Sequence, residues 1–74
     1  MSLQECTAAL QAHHAVRINA GEFSQSELEL AAATAAEENA RLIIDNIKGR
    51  SCEDIGRILE AGGRQVCFAD IYLV

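Results

Sequence analysis

Residues 24–48, SQSELELAAATAAEENARLIIDNIK, decide how this chain is read. The segment has neither glycine nor proline, and it is dense in Ala, Leu and Glu, which lose little on entering a helix. Ser24 with Glu27 fits a capping box, in which each side chain satisfies a free backbone N–H at a helix start; Ser26 with Glu29 offers an alternative start. At about 100° per residue, Leu28, Ala31, Ala32, Ala35, Asn39, Leu42, Ile43 and Asn46 share one broad face. Ala36, Ala40, Ile44 and Ile47 widen that face, and Glu27, Thr34, Glu38, Arg41 and Asp45 form the polar stripe opposite. Glu37 stands four residues before Arg41, the favourable order for a helix ion pair. This spacing predicts one long helix over about 25–48, with neighbours on more than one side.

Working outward, Ser2 with Glu5 repeats the cap pattern and predicts a first helix over about 3–19, ending near Gly21. Its stripe is Leu3, Cys6 and Leu10, continuing into His13, His14 and Arg17, so only its first half is apolar. Gly49 ends the central helix. Ser51 caps a third helix over about 52–61, with Ile55, Ile58 and Leu59 at helical spacing and Gly62-Gly63 closing it. Residues 65–73, with Val66, Phe68, Ile71 and Tyr72, read as a short β-strand or extended tail. A lone strand leaves its backbone groups unpaired, so it pairs with a second copy, with a partner, or with nothing ordered. There is no proline, no linker and no repeat. The expected fold is therefore mainly α, a single domain over 1–74 with three helices around a long central one.

At 74 residues, a chain buries only about 60% of the surface it exposes unfolded. The aromatics are Phe23, Phe68 and Tyr72 alone, so an Ala-, Leu- and Ile-rich core gains little area per residue. Chains in this position lean on disulfides, a metal or a partner subunit. Three cysteines (Cys6, Cys52 and Cys67) are an odd number, widely spaced, and the opening residues contain no cationic start followed by an apolar run. That combination points to a reduced, cytoplasmic protein with no membrane span. The net charge of −5 is concentrated between Glu22 and Asp45, where Arg41 is the lone cation. Such a block argues against nonspecific binding to nucleic acid or anionic membrane.

Residues with chemical potential do not assemble into a motif. His13 and His14 are adjacent, so on a helix they diverge by about 100°, and Cys6 lies roughly 10 Å away. None forms an i, i+4 chelating pair, and no Cys-x-x-Cys or His-x-x-x-His occurs, so no metal or cofactor is expected. Cys52 at a helix N-terminus is the most reactive thiol by position, but no Gly-rich phosphate loop or serine elbow accompanies it. Residues 49–59, GRSCEDIGRIL, resemble the first helix of a helix-turn-helix: a Ser-capped helix carrying Ile55, Gly56 and Leu59, with Val66 at the offset where a second helix packs back. The resemblance implies a DNA-binding regulator built on residues 49–74. Two departures stand against it: residues 66–74 read as strand, and they offer Asp70 where a recognition helix carries Arg, Lys, Asn or Gln.

These readings point to a small non-catalytic interaction or regulatory protein, of the type found among phage and plasmid accessory genes. The wide apolar arc of the central helix predicts a homodimer, or a partner's helix, packed along Leu28, Ala32, Ala35, Asn39, Leu42 and Asn46. The two asparagines would pair across that seam.

Overall fold

Both capping boxes form. In the computed structural model, which describes residues 2–69, Ser2 Oγ accepts the Glu5 amide (3.2 Å) and Glu5 Oε1 accepts the Ser2 amide (3.0 Å), starting helix α1 (Leu3–Ala12). Ser24 and Glu27 exchange the same pair of bonds at the start of α2 (Gln25–Glu38). Ser51 accepts the Asp54 amide at the start of α3 (Cys52–Gly62). Gly63 then closes α3 with φ +57°, a conformation open to glycine at little steric cost.

The mainly α expectation is overturned by a three-stranded sheet, in which only the third strand falls where a strand was expected. The first helix stops at Ala12, and Ala15–Asn19 forms β1. The central helix stops at Glu38, well short of Lys48, and Arg41–Asp45 forms β2. Val66–Phe68 forms β3. All three join one parallel sheet in the order β1-β2-β3. There is no long central helix.

The break after Glu38 has a local cause. Asn39 adopts the left-handed conformation (φ 54°, ψ 37°), and the Ala40 amide reaches back to the Ala35 carbonyl (2.9 Å) in a Schellman-type ending. Asn tolerates this conformation better than most residues because its short amide can bond locally. Beyond it, the run Leu42-Ile43-Ile44 contains two β-branched residues, which suit a pleated surface. Helical periodicity cannot distinguish such a short apolar run from a helix continuation. Arg41 consequently leaves the helix: its amide donates to the His14 carbonyl (2.7 Å) as β2 begins, and the expected Glu37–Arg41 helix pair does not arise.

Register places Val16, Leu42 and Val66 in one row and Ile18, Ile44 and Phe68 in another. These rows point at the helices, with Leu42 and Ile44 fully buried. The third strand thus pairs within the chain, against β2, and needs no second copy to satisfy it; residues 70–73 of the predicted tail lie outside the described residues. The layer above the sheet has α2 between α1 and α3. Cys6 and Leu10 of α1, Leu28, Ala31, Ala32 and Ala35 of α2, and Ile58 of α3 meet the strands there. Alanines on α2 allow the helices to approach closely, and Gly62 takes this furthest: a Cβ there would meet the Val66 side chain, and would lie 3.1 Å from the Ala32 carbonyl oxygen. Although no repeat is visible in the sequence, two β-α units follow one another, β1-α2 and β2-α3, each with a Ser-capped helix.

Candidate functional site

The six residues expected at a helix seam do not share a surface. Leu28, Ala32, Ala35 and Leu42 are completely buried in the chain's own core. The wide apolar arc of α2 is covered within the chain, by α1, α3 and the sheet. Asn39 and Asn46 are exposed and stand at opposite ends of β2. Both have positive φ (54° and 60°), so their role is to turn the chain. Asn39 Oδ1 accepts from Gln65 Nε2 (2.8 Å), while Asn46 Nδ2 donates to Asn19 Oδ1 (3.3 Å).

The residues with chemical potential are equally dispersed. Cys6 is buried, and burial pushes its thiol pKa up. Cys52 is the exposed first residue of α3, and Cys67 is exposed on β3. His13 caps the end of α1 and His14 precedes β1, both exposed. Among the described residues, no three of His, Cys, Asp and Glu come together as a metal would require. The segment that resembles a helix-turn-helix runs from α3 through a 3₁₀ turn into β3.

Parallel α/β sheets bind ligands beyond the carboxyl ends of their strands, next to helix N-termini. Here that end is stitched to itself. Asn19 Oδ1 accepts from the Gly21 amide (2.8 Å) as well as from Asn46. The Arg50 guanidinium donates to the carbonyls of Ala20 (3.0 Å) and Phe23 (2.8 Å) and to Gln25 Oε1 (3.1 Å). Gln25 Nε2 in turn reaches Glu29 and the Asp54 carbonyl (both 3.0 Å). With both helix starts filled by their own serine caps, this network fastens the loop after β1 to the starts of α2 and α3.

Among the described residues, no helix packs on the opposite face of the sheet. Ala15, Arg17 and Asn19 of β1, Arg41 of β2 and Cys67 of β3 are exposed there, with Ile43 and Asp45 half-buried. Arg17, Ile43 and Cys67 form one row across the three strands. Arg17 reaches diagonally to Asp45, with Nη2 on Oδ1 (2.8 Å) and Nε on Oδ2. That hydrogen bonding holds the Asp45 carboxyl below the usual carboxylate range. The two sides of the molecule differ in charge: the three α-helices are acidic and carry Arg57 as their lone cation, whereas the strands set Arg17 and Arg41 against Asp45. An all-parallel sheet is ordinarily covered on both faces. This second face of the sheet is the feature that sequence reasoning missed. Its trace was there in the alternation Val16, Ile18 against Ala15, Arg17, Asn19, which a 3.6-residue reading of residues 3–19 obscured.

Comparison with protein-family models, curated proteins and solved structures finds no match to this chain.

Proposed function

We propose that this chain is a non-catalytic interaction protein whose docking surface is the face of its sheet on which, among the described residues, no helix packs. The observation that carries the reading is the mismatch between the two faces: one packs three helices, the other presents a half-buried isoleucine flanked by Arg17, Arg41 and Asp45. Parallel sheets are ordinarily covered on both faces, and an apolar centre with a charged rim is the anatomy of a protein–protein contact. The polar end beyond β1 and β2, where catalysis or phosphate binding would sit in such a fold, is occupied by internal hydrogen bonds. A DNA-binding unit in residues 49–74 draws less support, because α3 leads into a strand of the sheet and not into a second helix.

The test compares Ile43→Lys with Leu30→Lys in affinity capture from the native host. Leu30, on the outer side of α2, is the most exposed large apolar side chain described, at 56%. Captured partners should be lost with Ile43→Lys and kept with Leu30→Lys, both variants remaining folded by circular dichroism. The reverse pattern would move the docking surface to the helices and end this proposal.

A further inference from the structure

We draw no further inference here: the strongest candidate, the outer surface of the helix layer where Leu30 of α2 and Leu59 of α3 are exposed among acidic side chains, is an apolar surface for which nothing in the structure shows what covers it.

Discussion

Arg17 and Asp45 sit one row apart on adjacent strands, and the guanidinium spans that offset with both Nε and Nη2 on the carboxylate. The contact ties β1 to β2 on the face opposite the three helices. The hydrogen bonds from Arg17, more than its charge alone, depress the Asp45 pKa. The group is therefore ionised more readily folded than unfolded. Its contribution is present in full above the unfolded aspartate pKa of about 3.9, and is lost as pH falls through the lower folded value. Wild type should melt above Asp45→Asn at pH 6, and the two curves should converge in acid as Asp45 becomes protonated in the folded state too. Glu5, depressed by its bonds to Ser2, titrates in the same direction in both proteins, so the difference between them isolates Asp45. A gap that persists in strong acid would show that the ion pair is not its source.

The two glycines of α3 should respond in opposite directions to the same substitution. Gly62→Ala forces a methyl group against Val66 and the Ala32 backbone, and overpacking of this kind costs about 1–3 kcal/mol. Around Gly56 a Cβ would meet nothing within 4 Å, so Gly56→Ala gains helix propensity and should stabilise by about 0.5–1 kcal/mol. Urea unfolding measures both. Val66→Ala combined with Gly62→Ala should recover part of the loss, since it removes the atom that the new methyl meets.

Arg50 serves three acceptors, two of them main-chain carbonyls around the turn Ala20–Glu22. Its fork reaches separate acceptors at once, which a lysine cannot reproduce. Arg50→Lys and Arg50→Ala should both destabilise by about 1–3 kcal/mol. Hydrogen exchange should rise first near Ala20–Phe23, ahead of the central strand. Uniform acceleration across the chain would mean that Arg50 supports the whole fold and not that loop.

Thiol reactivity should divide the cysteines two to one. Cys52 and Cys67 are exposed, whereas Cys6 is fully buried among apolar neighbours with its thiol pKa raised. Titration of native protein with an aromatic disulfide at pH 8 should proceed quickly for two thiols, and the third should react only at the rate of unfolding. Rapid reaction of all three would indicate that α1 opens from the core.

Leu42 separates the helix-seam expectation from the observed fold. It is completely buried at the centre of the sheet. Leu42→Ala should therefore cost about 2–5 kcal/mol at any protein concentration. A loss that vanishes on dilution would instead locate Leu42 at a contact between copies.

Local chemistry alone determined the helix starts, because a Ser cap and the glutamate three residues on interact within one turn. The same holds for the end of α3, where Gly63 takes a conformation that side chains resist, and for the strand at Val66–Phe68, whose residues favour it. The chain as a sequence also specified an apolar arc on residues 28–35. What covers that arc, and where its helix ends, was decided by tertiary structure. Ala15–Asn19 and Arg41–Asp45 fit a helical pattern nearly as well as an extended one; they become strands because Val16, Leu42 and Val66 align in one sheet, where each backbone pairs with its neighbour and the inward side chains meet α2. Asn39 shows the same division: its residue type permits a left-handed turn, but only the sheet beyond it makes that turn the favoured ending. The grouping on the second face follows from the same arrangement, since three helices on one side leave Arg17, Ile43 and Asp45 together on the other.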